Sequence, residues 1–519
     1  MKKLLFVTCI SVILLSSCDW LFEEETGSGK RFWAVDTTKP SSDRNYYYQL
    51  TAELLAQNDY CKVYVEKGKG VTKTDAQNMA TEYIKIYNIM IDTFGLEFDV
   101  TYTNGTKGKL NTLKYADALT DGDGKLTILL LDIKDGYRKG VNDAYVAGYF
   151  TPYNFFQAAN SNQCDMIYID TNPGFKEDPE ESYSTLAHEL QHLMNFTTTL
   201  EKRLVYDERG ELTDINLMDT WIDEGLASAA EYVYTGKHLV NRWGWYYLNG
   251  NGEGLIDKGN NFFVWDNREE NQYAILDDYA TVYLFFQWLR IQSSKGKDIY
   301  KEIIGSNNYN HLAVTNAAAA SISQSDYGNG NWEKLLGDWL AANYIYASTG
   351  RYGYKDDFDF KIDGTPVTIK GRNLLSINAQ TVSLYPGEGV FSKISSSYSK
   401  PTDTSSIKYL LLTDAGINSS GPITSGALLT YNRNTDSYVY TYNASGEPNG
   451  RKHPDQATGT VTGVVANVNV AAPVNGRSVA APFRITGPYR IGIGDVRRGA
   501  FRDIPPIDIL QLNSLMLRE

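Results

Sequence analysis

The chain has 519 residues, 42% of them hydrophobic, with a formal charge of -13 and a pI near 5.1. That length fills more than one core, on the order of two to four domains, and the acid balance argues against a nucleic-acid binder because no phosphate-seeking positive field exists. The 44 glycines and 38 tyrosines point to strands, turns and aromatic surface rather than a long helical array.

At the N-terminus MKKLLFVTCISVILLSSCDW sets Lys2 and Lys3 before an apolar run from Leu4 to Leu15, followed by small residues. That is the layout of a secretory signal, too short and wrongly flanked for a mature membrane span. Leu15-Ser16-Ser17-Cys18 also resembles the bacterial lipobox, in which the cysteine is lipidated and becomes the first mature residue. Residues 1–17 are therefore read as a lipoprotein-type signal peptide and 18–31 as a tether. The expected location is that of an exported, membrane-anchored bacterial lipoprotein, periplasmic or cell-surface; a plain signal with an incidental cysteine is the alternative. Cys61 and Cys164 then remain in an oxidising compartment as a candidate disulfide.

Residues 32–180 mix strands and helices. DAQNMATEYIKIYNIMIDTF, Asp75 to Phe94, carries apolar residues at helical spacing and predicts an amphipathic helix. KLTILLLDI, Lys125 to Ile133, reads as an internal strand and MIYIDTN, Met166 to Asn172, as its neighbour. Asp121-Gly122-Asp123-Gly124 is a candidate Ca2+ site, although it lacks the EF-hand ligand pattern and reads better as a tight turn. Residues 181–352 are helical, with helices predicted at Ser182 to Phe196, Trp221 to Tyr234, Tyr279 to Gln292 and Asn331 to Ala347. The aromatic stretch NRWGWYYLNG reads either as a substrate wall or as core and turn. Residues 353–519 break into short β-rich pieces such as KYLLLTDAG and GALLTYN between glycine, proline and serine. The fold class expected is α+β, with a mixed-sheet N-terminal lobe and a helical C-terminal lobe, followed by an all-β sandwich-like domain.

The chemistry concentrates in YSTLAHELQHLMNFTT, Tyr183 to Thr198, which holds two of the five histidines. A helix advances about 100° per residue, so His188 and His192 share one face and can offer ring nitrogens to one zinc ion. Glu189 then stands where its carboxylate reaches a water on that metal, as the H-E-x-x-H order requires. Leu186, Ala187, Leu190, Leu193, Met194 and Phe196 surround the pair, so the helix is mostly buried and its imidazoles need a partner. A catalytic zinc takes three protein ligands and leaves one position open. The extended HExxHxxGxxH arrangement is excluded, because those positions hold Asn195 and Thr198. His238, His311 and His453 are the other histidines. The stronger candidate is Glu224 in DTWIDEGLASAAEYVY, an acid entering a small-residue helix where a cation would explain it.

HELQH followed 32 residues later by the glutamate of WIDEGLASAAEY resembles the gluzincin metallopeptidases. WIDEGLA is similar to the WLNEGFA-type stretch of aminopeptidase-N-like families, and the motif spacing and signal peptide resemble more closely the secreted bacterial hyicolysin-type peptidases. The resemblance covers roughly Pro173 to Ala347. It implies a zincin-like fold, with His188, His192 and Glu224 as zinc ligands and Glu189 as catalytic base. It also implies that Glu231 orients a ligating histidine and that Tyr279 stabilises the oxyanion, with Tyr273, Tyr283 and His238 as rivals. Asp223 stands where the aminopeptidases usually carry Asn. No GxMEN-like segment precedes HELQH, which favours cutting within chains over trimming their ends.

The expected activity is zinc-dependent hydrolysis of peptide bonds in proteins or peptides by a monomer that binds no nucleic acid. DMIYIDTNPG and DAYVAGYFTPYNFF are the segments expected to offer an edge strand to substrate. The competing expectation is a noncatalytic, lipid-anchored surface binding protein, an adhesin or glycan binder, that retains a structural metal site.

Overall fold

The computed structural model describes residues 29–39, 43–95, 124–141, 145–155, 159–206, 212–248, 274–362, 380–436 and 454–461. Short pieces at 208–209, 256, 259, 262–264, 365–366, 439–442, 448–452 and 490–491 complete it. Cys18, Asp121 to Asp123, Tyr273 and His453, which carried sequence expectations, lie outside the described residues.

A six-stranded mixed sheet forms the N-terminal lobe. Its strands are β1 (Lys30–Val35), β2 (Tyr47–Gln57), β3 (Cys61–Glu66), β4 (Leu126–Leu131), β6 (Gly148–Phe150) and β7 (Met166–Asp170), in the order β1-β2-β3-β4-β7-β6. The pairs β3–β4 and β4–β7 are parallel, while β6 returns antiparallel along β7 as the last strand. β5 (Tyr145–Val146) runs into β6 and pairs in parallel with a short β20 (Arg490–Ile491). Alternate residues of a strand face opposite sides. Ile128 and Leu130 therefore enter the core beneath α1 (Lys73–Phe94), while Leu129 and Leu131 pack with Phe32, Tyr64 and Tyr168 on the other side. Burial on both faces explains the unbroken apolar run of β4. The α1 helix opens at a Thr72–Asp75 capping box and closes at left-handed Gly95.

The same alternation corrects the disulfide expectation. Cys61 packs under α1 on β3, Cys164 lies in the core of the opposite face just before β7, and β4 runs between them. Both are buried thiols with no bridge.

Helices make the second lobe: α2 (Pro179–Lys202), α3 (Thr220–Thr235), α4 (Val240–Leu248), α5 (Ala274–Gln292), α6 (Ile299–Ile304), α7 (His311–Ser321), α8 (Gln324–Tyr327) and α9 (Trp332–Ile345). A short hairpin, β8 (Leu204–Tyr206) with β9 (Leu212–Ile215), joins α2 to α3. α5 is buried from Leu276 to Leu289, its polar Asp277, Asp278, Thr281 and Gln287 included, with Tyr279, Tyr283, Phe285, Phe286 and Trp288 fully enclosed. NRWGWYYL is α4 itself, and Trp243, Trp245, Tyr246 and Tyr247 are core residues rather than a wall open to ligand. Among the described residues no helix is long and apolar enough to cross a membrane.

After a two-residue ladder, β10 (Lys361–Ile362) with β11 (Thr365–Pro366), the chain enters the β-sandwich-like domain. Its four-stranded sheet runs β13 (Gly389–Ile394), β16 (Gly426–Asn432), β14 (Ile407–Thr413), β15 (Gly416–Asn418), and β12 (Thr381–Leu384) pairs with β19 (Ala457–Thr460) beside it. A further hairpin joins β17 (Val439–Tyr442) to β18 (Pro448–Lys452). Val390, Leu411 and Leu428 face the sandwich interior, whereas Phe391, Leu412 and Leu429 belong to the core of the helical lobe. Gly337 of α9 is why the two approach so closely, since a Cβ there would sit 2.7 Å from the Tyr431 hydroxyl. The helical lobe and the sandwich thus share one apolar core rather than hanging on a linker.

Candidate metal centre

α2 is the structural spine of the site. Asp178 caps it by accepting from the Glu181 N–H at 3.0 Å, and Pro179 occupies the first turn, where a missing N–H costs nothing. From Ser182 to Leu200 nearly every residue is buried, because the helix is sandwiched between the sheet edge, α1 and α3. Gly148 of β6 lets the sheet lie directly on it: a Cβ there would fall 2.8 Å from Thr185 Cγ2, one turn before His188. α3 packs alongside on small residues, and Gly225 clears room for the Phe286 ring of α5.

Those two helices bring together His188, His192 and Glu224, whose ligand atoms all lie within 4.8 Å of one another. His188 Nε2 is 3.3 Å from Glu224 Oε2, and His192 Nε2 is 3.5 Å from the same oxygen. The three residues are buried, yet His188 Nε2, His192 Nε2 and Glu224 Oε2 make no hydrogen bond of good geometry. Buried polar atoms left so are costly. Two imidazole nitrogens and one carboxylate oxygen converging on a point match the donor set of a three-ligand zinc site, so the residues present fit a divalent ion. Among the described residues this is the one such cluster of histidine, cysteine and acid side chains.

The far nitrogens of both rings are held by carboxylates. His188 Nδ1 lies 3.0 Å from Glu231 Oε1, whose other oxygen accepts from Ser184 Oγ at 3.1 Å. His192 Nδ1 lies 3.0 Å from Asp223 Oδ2, whose other oxygen accepts from Asn195 Nδ2 at 2.6 Å. A carboxylate can only accept, so His188 Nδ1 donates to Glu231. His192 Nδ1 faces Asp223 at ion-pair distance without a hydrogen bond of good geometry, and Nε2 of each ring is the nitrogen turned toward Glu224. Glu231 was legible from the motif. Asp223 was visible only as a departure from Asn, and its contact with His192 could not be read from the chain. The signal available was its place directly before Glu224, on the helix face turned to α2.

Electrostatics follow from burial and this ring of acids. Burial alone would push His188 down, but Glu224 and Glu231 outweigh it and lift the ring to about 9. Burial likewise opposes protonation of His192, and Asp223 and Glu224 raise it well above its ordinary value. Glu224, despite burial, is drawn down to about 2 by His192 and His188. Glu189 is fully buried beside them with both carboxylate oxygens unpartnered, and burial pushes it up to about 7. A carboxyl group poised near neutrality can accept and return a proton.

The other sequence candidates are not members of the ligand cluster. Tyr279 is fully buried in α5 with the Arg242 guanidinium 4.4 Å over its ring. Its rivals engage each other: the Tyr283 hydroxyl meets His238 Nδ1 at 2.8 Å, and His238 Nε2 meets Asp357 Oδ2 at 3.0 Å. That imidazole is stacked on Phe358 at 3.6 Å beyond the C-terminal end of α3, and Arg290 also pairs with Asp357. His311 opens α7 near Trp332 and is not in the metal cluster. Of the two segments expected to offer an edge, β7 is interior and the second supplies β6, the strand at the sheet margin.

No protein-family model matches the chain. The chain is similar to the neutral metalloprotease ShpI of Staphylococcus hyicus, 35% identical over 202 residues, a stretch that is 38% of this chain and 42% of that protein.

Proposed function

We propose that the chain is a zinc metallopeptidase of gluzincin type that hydrolyses peptide bonds within proteins or peptides. The observation that carries this reading is the convergence of three buried, unpartnered donor atoms from His188, His192 and Glu224, beside the equally unpartnered carboxylate of Glu189. The partial likeness to a neutral metalloprotease supports the same class. Residues 32–180 and 181–352 are taken as the two lobes of the catalytic unit and 353–519 as the appended β domain.

A zinc ion bound there supplies Lewis acidity and a water of lowered pKa. Glu231 orients His188 through Nδ1, and Asp223 lies 3.0 Å from His192 Nδ1, so that Nε2 of each ring would be the nitrogen available to hold the ion. Glu189, pushed up to about 7, takes the proton of the attacking water on its carboxylate and returns it to the departing amine. Main-chain groups of β6, antiparallel to β7 at the sheet margin and backed by α2, pair with an extended substrate and tolerate varied side chains. Tyr279 is assigned the oxyanion donor; engagement of Tyr283 and His238 with each other and with Asp357 supports it over them.

The test is Glu189→Gln assayed for zinc and for cleavage of denatured casein. The variant is expected to keep about one zinc per chain while turnover falls about 10²–10⁴-fold, the usual contribution of a positioned acid–base group. A wild-type protein that holds zinc yet cleaves nothing across varied proteins and peptide libraries would refute the peptidase reading and leave the surface-binding one.

A further inference from the structure

Beyond Asp223 the network continues to a residue that no motif identifies. Arg203 follows the last turn of α2 and is only 2% exposed. Four of its five N–H directions are used. Nε donates to Ser306 O at 3.2 Å, Nη2 to Ile304 O at 2.6 Å, and Nη1 to Thr199 Oγ1 at 2.9 Å and Asn195 Oδ1 at 3.3 Å. The first two bonds pin the guanidinium to the end of α6; the last ties it to the amide that contacts Asp223.

That amide is the pivot. An arginine can only donate and a carboxylate can only accept. Asn195 lies between them with its oxygen toward Arg203 and its nitrogen toward Asp223, and the reverse orientation would oppose like groups on both sides. Arg203 therefore decides which way Asn195 faces, Asn195 donates to Asp223, and Asp223 keeps a carboxylate oxygen 3.0 Å from His192 Nδ1. Burial pushes the guanidinium down to about 10, and the charge of Asp223 opposes that push.

We propose that Arg203 is a positioning residue for the metal centre, acting through Asn195 and Asp223 to hold His192 in the orientation that presents Nε2 to a divalent ion. This deepens the metal-centre reading above and rests on it. It also gives the buried arginine a role distinct from packing: the geometry of a ligand about three turns of helix away.

The experiment measures zinc affinity by competition with a chromophoric chelator, together with the visible spectrum of the cobalt-substituted protein. The full chain is used as wild type, Arg203→Met, Asn195→Ala and the double variant. Each single change is expected to weaken zinc about tenfold, the lower end for outer partners of metal ligands, and to shift the cobalt band. The double variant should be no weaker than the worse single, because both act along one path. Asp357→Asn, which weakens the ion pairs with Arg290 and His238 outside the ligand cluster, serves as control: it should leave zinc affinity alone. Arg203→Met within twofold of wild type, or additive losses in the double variant, overturns the proposal. Should Arg203→Met not fold, Asn195→Ala decides, and affinity within twofold of wild type overturns it equally. A wild type that binds no zinc sinks the metal reading and this inference together. Cleavage does not enter the readout, so an inert but zinc-binding chain still tests Arg203.

Discussion

Glu231 offers the sharpest test of how the site is built, because two of its replacements separate charge from shape. Its carboxylate lies 3.0 Å from His188 Nδ1 and accepts from Ser184 Oγ at 3.1 Å, buried on both counts. In Glu231→Gln the amide oxygen can still accept from the imidazole, while its nitrogen turns to a serine hydroxyl free to accept. Geometry survives and the charge goes. A hydrogen bond to a charged group contributes about 1.5–3 kcal/mol and a neutral one about 0.5–1.5, so the loss is about 1–1.5 kcal/mol. At 1.4 kcal/mol per decade that is a five- to tenfold drop in zinc affinity, roughly. Glu231→Ala instead leaves Nδ1–H and Ser184 facing a void, and about 10–100-fold is expected. The assay is chelator competition on samples shown by circular dichroism to be folded. Equal affinity in all three proteins would refute the reasoning, since helix packing alone would then orient His188. Equal losses in the two variants would show that charge acts without shape.

Three further outcomes follow from the same geometry. His188 is lifted from 6.5 to about 9 by Glu224 and Glu231 against burial, so its contribution to metal-free stability is fully present below about pH 6.5 and lost as pH rises through about 9. Zinc must displace that proton, so affinity should rise over the same window; a flat affinity between pH 7 and 9 would contradict it. Gly225→Ala places a methyl 2.3 Å from Phe286 Cε2, and the overpacking should cost about 1–3 kcal/mol, read as a lowered Tm; an unchanged Tm would show that α5 yields freely. Cys18→Ser should move the protein from the membrane fraction to the soluble one, and retention in the membrane would reject the lipid anchor.

What the sequence disclosed depended on how local the determining physics was. His188, Glu189 and His192 are placed by one turn of helix, so their order alone announces the geometry. The helix itself was read three residues short at its start, because Pro179, Glu180 and Glu181 of its first turn carry no apolar signal and only the Asp178 cap marks it, and six short at its end, where the polar run of Thr197, Thr198 and Thr199 continues it to Lys202. α5 began at Ala274 rather than Tyr279, the acidic pair Asp277 and Asp278 having interrupted its apolar run. Glu224 was found through its incongruous small-residue surroundings, a nonlocal contact betrayed by a local oddity. Cys61 and Cys164 failed because strand order decides them. Nothing in the residues around either cysteine says that β4 lies between them or that they face opposite sides. Asp223 and Arg203 were equally hidden, since polar residues at a helix start and a helix end look solvated until a partner encloses them.

The charges explain why these hidden residues belong to the site. Glu224, Glu231 and Asp223 crowd two imidazoles in or beside a buried region, an arrangement that excess negative charge would disfavour on its own. Without an ion, protons supply the compensation, which is why both rings are raised while Glu224 is drawn down. A divalent ion would balance two of the three carboxylates, and the guanidinium of Arg203, one amide away, balances the third. Glu189 then remains as the one carboxyl group whose proton is not claimed by an ion pair, pushed up to about 7 by burial. The same balance that would hold an ion at His188, His192 and Glu224 leaves Glu189 free to exchange its proton.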